Sequence, residues 1–261
     1  MSHNLSMLSS TERFSTRVEN YIKYRPGYPA GVLDLMRSRC GLSADSTVAD
    51  VGSGTGILTQ LLLQTQSLVY AIEPNKEMRE AAEKLLRDYS RFNSVNGTAE
   101  ATTLPSQSID VVTASQAFHW FNVPQARAEF SRILKPGKWV VLIWNERPVA
   151  AHAFLDEYDT LLRKHAPDYD RVTNMRADPV KLREFFGREP QFAELSYVQN
   201  FDYAGLEGRL MSSSYAPEKG HPEHEPMLAG LRALFERHNQ GGRVLFPYRT
   251  LVYFGQLNAK L

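Results

Sequence analysis

A doubly wound α/β fold, with a mostly parallel sheet between layers of helices, is what this sequence predicts. Three observations carry that expectation. Apolar runs of strand length alternate with helical patterns from Thr47 to Trp144, the rhythm of βαβ units with right-handed crossovers. The first strand runs into a glycine-rich turn, Gly52-Ser53-Gly54-Thr55-Gly56, and then into a helix. An acid, Glu73, closes the second strand 21 residues after Gly52.

The elements follow in order. Residues 1–40 read as an N-terminal arm or lid with one or two helices, interrupted at Arg25-Pro26-Gly27-Tyr28-Pro29 because proline cannot continue a helix. Strands are expected at 47–51, 68–72, 92–95, 109–114 and 138–144. Helices are expected at 57–64, at 75–89 with Asn75 as its cap and Met78, Ala82, Leu85 and Leu86 on one side, and at 123–134 before Lys135-Pro136-Gly137. After Asn145 the rhythm changes. Helical patterns occupy 152–165 and 226–238, strands 192–203 and 244–255, and a polar loop 212–226. One domain is expected over 1–261: the arm, a cofactor-binding core over 41–147, a cap with a sixth strand over 148–242, and a last strand in 243–261.

Composition narrows the function classes. The 261 residues are 43% hydrophobic and 23% charged, with a net charge of +1, so no global field points to nucleic acid or membrane. A small-molecule partner is expected, on a monomer or weak homodimer. Cys40 is the single cysteine, which excludes an internal disulfide and a paired-cysteine zinc site and fits a cytoplasmic protein. The first fifteen residues carry no apolar segment of secretory type, and no apolar run approaches the ~20 residues of a membrane span. His221 and His224 lie in a polar loop and read as loop residues, so no metal is expected.

The glycine turn carries the chemistry. Glycine lets the backbone bend sharply and lets a ligand approach where a Cβ would stand, and in a doubly wound sheet such a turn sits where ligands bind. The dinucleotide fingerprint requires glycine at position 57, where this chain has Ile57, and the Gly-Lys-Ser/Thr ending of a phosphate loop is missing. Glu73 is placed to accept hydrogen bonds from ribose hydroxyls, or else to meet the dipole of the helix that follows.

Together these residues resemble class I S-adenosylmethionine-dependent methyltransferases. Asp50 to Gly56 is similar to the family's first motif. Residues 71–75 with Met78 are similar to its ribose motif, 97–100 with Leu104 and Pro105 to its adenine-side segment, 109–121 to its fourth strand and loop, and 134–137 to the turn before strand five. Residues 21–29 and 116–121 further resemble the trans-aconitate methyltransferase-like small-molecule subgroup. The resemblance implies a Rossmann-like methyltransferase fold of seven strands, the last antiparallel, and S-adenosylmethionine as cofactor. It departs at Thr98, where an acid is common, and at Lys138, where a second glycine is common.

The resemblance also implies roles. Gly52, Ser53, Gly54, Thr55 and Gly56 would hold the methionine part through backbone amides, and Asp50 before them would belong to the cofactor-binding set. Glu73, with Pro74 and Met78, would take the ribose. Thr98, Ala99 and Glu100 would meet the adenine, and Ser115 and Gln116 the methionine end. Tyr21 and Arg25 would close over the cofactor, although Arg25 also reads as a surface arginine beside a proline turn. Tyr28, His119 and Trp120 would contact the acceptor. His119 is the candidate acid or base, since an imidazole titrates near ~6.5; its other reading is packing between Phe118 and Trp120. The expected activity is methyl transfer to a small acceptor bearing a carboxylate, hydroxyl or similar group. The alternatives are a catalytically silent binder of the same cofactor and a nicotinamide-dependent oxidoreductase.

Overall fold

The computed structural model describes residues 23–148, 152–170 and 178–257. After helix α1 (Gly31–Cys40) the chain alternates: β1 (Thr47–Val51), α2 (Ile57–Leu63), β2 (Leu68–Ile72), α3 (Lys76–Leu86), β3 (Phe92–Val95), β4 (Ile109–Ser115), α4 (Val123–Ile133) and β5 (Leu134–Glu146). Then come α5 (Ala153–His165), α6 (Pro179–Phe186), β6 (Gln191–Phe201), α7 (Tyr203–Met211), α8 (His224–His238) and β7 (Val244–Gln256). The seven strands form one sheet in the order β3-β2-β1-β4-β5-β7-β6. Strands β1 to β5 pair in parallel, and β7 lies antiparallel between β5 and β6. This is the seven-stranded, mostly parallel sheet the sequence predicts.

Alternation along the strands builds both faces of the core. Ala49, Val51, Val112, Ala114, Val140 and Leu142 pack on one side with Phe118, Phe130 and Phe185. Val48, Val111, Val141 and Ile143 pack on the other with Met36, Leu58 and Leu62. In α3, Met78, Ala82 and Leu86 form the buried stripe, and the Asn75 side chain accepts from the Met78 amide at 2.9 Å. Leu85 departs from expectation: it lies at the margin of that stripe and is 46% exposed.

Two helices escape the sequence reading. Helix α6 starts at Asp178, whose carboxylate accepts from the Val180 amide at 2.9 Å, with Pro179 in its first turn, a legible start signal. Helix α7 starts at Asp202, which accepts from the Gly205 amide at 2.8 Å, but its glycines disguise it. Gly208 is there for close packing, since a Cβ would stand 2.1 Å from Cε2 of Tyr24. β5 begins four residues earlier than expected, at Leu134. Lys135 and Lys138 both reach the Asp110 carboxylate, at 2.8 and 3.1 Å, and hold the irregular start of the strand against β4.

The segment expected as a cap divides. β6 joins the sheet as its edge strand, and α6 packs beside α4, where Arg127 donates to the Phe185 carbonyl at 2.8 Å. Helices α5, α7 and α8 share a second apolar cluster with Phe201, Phe246 and Tyr248. The register pairs Glu146 with Arg249 and Phe201 with Val244, so this cluster stands beyond the carboxyl end of β5. No helix among the described residues is long and apolar enough to cross a membrane.

Glu129 on α4 ties the loop after β3 to the sheet. Its carboxylate accepts from the Thr102 amide and hydroxyl at 2.8 and 2.5 Å, and from two nitrogens of Arg132, each at 2.7 Å. The Arg132 guanidinium, with the Thr102 donors, holds its acid form down to about 2, against the burial that opposes it. A depressed carboxylate contributes stability above its ordinary value of 4.5, and that stability is lost as pH falls toward 2. Glu129→Gln should therefore lower stability by about 1–3 kcal/mol at pH 7. Urea melts should show the difference from wild type shrinking below pH ~4.5; a difference that does not depend on pH would contradict this account of Glu129.

Candidate functional site

The chain runs outward from β1 through β2 to β3, then returns to the other side of β1 as β4. Ligands bind in the crevice that such a reversal opens at the carboxyl ends of the strands. A cavity of about 340 Å³ lies there, within the usual range for small-molecule sites.

The turn after β1 forms its floor, with Gly52, Ser53, Gly54 and Thr55 on the wall. Gly52 has φ +68, and a Cβ on it would stand 2.6 Å from the Ala117 Cβ, so the loops after β1 and β4 can close on each other only around glycine. The backbone amides of residues 52–56, expected to hold the methionine part, are mostly engaged within the fold. Gly52 and Ser53 donate to the Ile72 carbonyl at 2.8 and 3.1 Å, and Gly56 donates to the Ser53 carbonyl at 3.0 Å. Gly54 donates to the Glu73 carboxylate at 2.9 Å. The turn consumes these donors to hold its own shape, and what it presents is a surface without side chains. Gly56 itself does not line the cavity; it lies at the N-cap of α2.

Glu73 stands at the end of β2 and is 8% exposed. One carboxylate oxygen accepts from Gly54, the other from the Asn75 amide at 2.8 Å. Burial pushes its acid form up, and the Asn75 and Gly54 amides and the Arg79 charge oppose that. A carboxylate has about four lone-pair sites, and the two amides leave acceptor capacity on the cavity wall, which Pro74 and Met78 continue. Thr98, Ala99 and Glu100 follow on the wall; Glu100 also accepts from the Asn122 amide at 2.8 Å. The Thr55 hydroxyl is buried on this wall and has no hydrogen-bond partner.

The loop after β4 closes the other side with Ser115, Gln116 and Trp120, and Tyr28 reaches in from the N-terminal segment. Gln116 has φ +53, uncommon for a residue with a side chain. It is pinned by its amide to the Ile143 carbonyl at 2.9 Å and by Nε2 to the Asn145 carbonyl at 3.1 Å.

Three further expected residues stand elsewhere. Asp50 is fully buried beneath the turn and does not line the cavity. It accepts from Thr59 at 2.6 Å and Thr113 at 2.9 Å, tying β1 to α2 and β4. His119 also lies off the wall. Its ring packs 4.8 Å from that of Trp120, and burial, with the charge of Lys181, pushes its pKa down to about 4, so the imidazole is neutral and weakly basic at pH 7. Arg25 is off the wall too, donating to the Ser212 carbonyl at 3.0 Å. Tyr21 lies outside the described residues. Ile57, Leu58, Asn75 and Ala117 line the cavity without having been expected there; the apolar first turn of α2 was the available signal. His221 and His224 serve their loop, through the Glu223 amide and the Pro217 carbonyl.

Residues 49–142 match the family model described as a methyltransferase domain. An uncharacterized methyltransferase of Schizosaccharomyces pombe is 32% identical over 138 residues, which cover 51% of this chain and 53% of that protein. An uncharacterized methyltransferase of Mycobacterium tuberculosis is 32% identical over 160 residues, covering 61% and 63%. The match thus spans between half and two thirds of these curated relatives. Among solved structures, one from Anaeromyxobacter dehalogenans, provisionally described as a type II methyltransferase, superposes with a TM-score of 0.62 at 21% identity. That superposition covers 90% of this chain and 98% of the other. A phosphoethanolamine N-methyltransferase of Haemonchus contortus superposes at 0.55 and 11% identity, covering 95% and 60%. These two likenesses show the fold.

Asp50 gives this arrangement a pH signature. Burial raises its acid form from 3.8 to about 6, assisted by the charge of Glu73 and opposed by the two threonine hydroxyls. The fold therefore favours neutral Asp50: that stability is fully present below pH ~4 and is lost as pH rises through about 6. Chemical denaturation of Asp50→Asn beside wild type should show wild type gaining up to about 3 kcal/mol on the variant between pH 7 and pH 4. A constant difference would show that Asp50 does not titrate in this range.

Proposed function

We propose that the protein is an S-adenosylmethionine-dependent methyltransferase acting on a small-molecule acceptor. The observation that carries this reading is Glu73, a buried carboxylate with acceptor capacity left on a cavity at the sheet's switch point, inside the stretch that matches a methyltransferase domain. The residues present suit the cofactor. Glu73 is built to accept from two adjacent hydroxyls, and the unpartnered Thr55 hydroxyl is a polar atom awaiting a bond. Met78, Ala99, Ile57 and Leu58 provide apolar wall for a planar base. The loop departs from the dinucleotide fingerprint at Ile57, which disfavours nicotinamide.

When bound, S-adenosylmethionine supplies a sulfonium methyl already activated for transfer. The task left to the chain is orientation and exclusion of water. Glu73 would fix the ribose, the side-chain-free surface of the turn would allow close approach, and Ser115 and Gln116 would border the methionine end. Tyr28 and Trp120 wall the acceptor side, where aromatic faces favour a cation. His119, neutral and off the wall, packs against Trp120 and positions that ring. The small-molecule acceptor accords with the resemblance of residues 21–29 and 116–121 to the trans-aconitate methyltransferase-like subgroup.

Calorimetric titration checks the reading. S-adenosylhomocysteine should bind and NADH should not. Glu73→Ala should weaken S-adenosylhomocysteine by about 1–3 kcal/mol, roughly 5- to 150-fold, through loss of a charged acceptor. Equal binding to wild type and variant would remove the ribose role.

A further inference from the structure

Beyond the carboxyl end of β5, the cluster formed by α5, α7 and α8 buries a guanidinium, that of Arg209, which pairs with no carboxylate among the described residues. Arg209 on α7 is 7% exposed. It donates to the Tyr248 hydroxyl at 3.0 Å and to Ser213 at 3.1 Å, and its guanidinium lies 5.7 and 6.0 Å from the ring centres of Phe246 and Tyr248. No carboxylate among the described residues pairs with it. Arg147, just after β5, lies over the rings of Tyr158 and Tyr169 at 5.3 and 5.5 Å. It meets Asp159 at 3.6 Å, and Arg163 and Tyr169 share that carboxylate. Arg25 joins the same neighbourhood through the Ser212 carbonyl.

A buried guanidinium without a counter-charge is costly, and hydroxyl and aromatic contacts offset that cost only in part. A second observation points to a ligand. Tyr158 is 0% exposed, and its hydroxyl has no hydrogen-bond partner. A buried phenol normally finds one. Burial raises the acid form of Tyr215, yet the charges of Arg147, Arg209 and Arg25, with a Ser213 hydrogen bond, bring it below its ordinary value, in keeping with a positive local potential.

We propose that Arg209, Arg147 and the Tyr158 hydroxyl form an anion-binding site that anchors an acid group of the methyl acceptor. Naming it an acceptor site rests on the methyltransferase reading. Continuity with the cavity supports the link. Tyr28 lines the cavity three residues after Arg25, and Asn145 donates to the Gly27 carbonyl at 2.8 Å while its own carbonyl accepts from Gln116. Arg147 follows Asn145 by two residues. The segment around Arg25 to Tyr28 therefore separates the two sites and borders both. The ligand is a small organic oxyanion, since guanidinium and phenol together match planar or tetrahedral acid oxygens. Such pairing occupies the oxygen lone pairs, so the site holds the acid group as an anchor.

The test uses the full chain with saturating S-adenosylhomocysteine and three probes: succinate, inorganic phosphate and neutral succinamide. Calorimetry should detect binding of succinate or phosphate and none of succinamide, and which anion binds distinguishes carboxylate from phosphate chemistry. Arg209→Gln should weaken the anion at least tenfold. Tyr158→Phe removes one unpartnered oxygen and preserves the packing. It should weaken the anion severalfold, while S-adenosylhomocysteine affinity stays within twofold. A purely structural cluster predicts the opposite: anion binding absent, or unchanged in Tyr158→Phe, and either result overturns the site. Anion binding that depends on Tyr158 in a protein that fails to bind S-adenosylhomocysteine would support the anion site and overturn the methyltransferase reading instead.

Discussion

The Glu73 carboxylate is the point on which the rest of the site is hung. It ends β2, yet one of its oxygens holds the Gly54 amide and the other the Asn75 amide. A single side chain thereby sets the turn after β1, the start of α3 and one wall of the cavity. Burying a carboxylate at 8% exposure opposes folding unless hydrogen bonds compensate. Here the chain supplies two amides and leaves acceptor capacity over. That residual capacity, facing a cavity, is the feature a purely structural role does not require.

The glycines of the turn serve this arrangement. Gly52 allows the loops after β1 and β4 to meet at a distance no side chain tolerates. Asp50 ties β1 to α2 and β4 from below through two threonine hydroxyls. The cavity floor is thus held by bonds among its own parts before any ligand arrives, which is the preorganisation that orientation-dependent chemistry needs.

Much of this is legible in the sequence because it depends on local chemistry. A buried strand, a glycine turn and an acid at the next strand end define the crevice without knowledge of the remaining fold. What escapes has a physical cause in each case. The amides of the turn cannot be seen as engaged, because their acceptors, Ile72 and Glu73, come from another strand. His119 looks like a base by its type, but burial and Lys181 depress it, and both act through tertiary packing. Helix α7 is hidden by two glycines whose purpose, room for Phe201 beside Gly205 and for Tyr24 beside Gly208, exists only in the folded chain. The arginine cluster joins Arg147 and Arg209, 62 positions apart, and no sequence pattern announces it.

We propose that this crevice holds a nucleoside-bearing cofactor with its ribose on Glu73. A crystal structure of the full chain grown with S-adenosylhomocysteine decides this. Ribose hydroxyl oxygens should lie about 2.5–3.0 Å from the Glu73 carboxylate, with the adenine beside Ala99 and Met78. Density for the ligand outside this cavity, or inside it with Glu73 contacting no hydroxyl, would show that Glu73 does not hold the ribose.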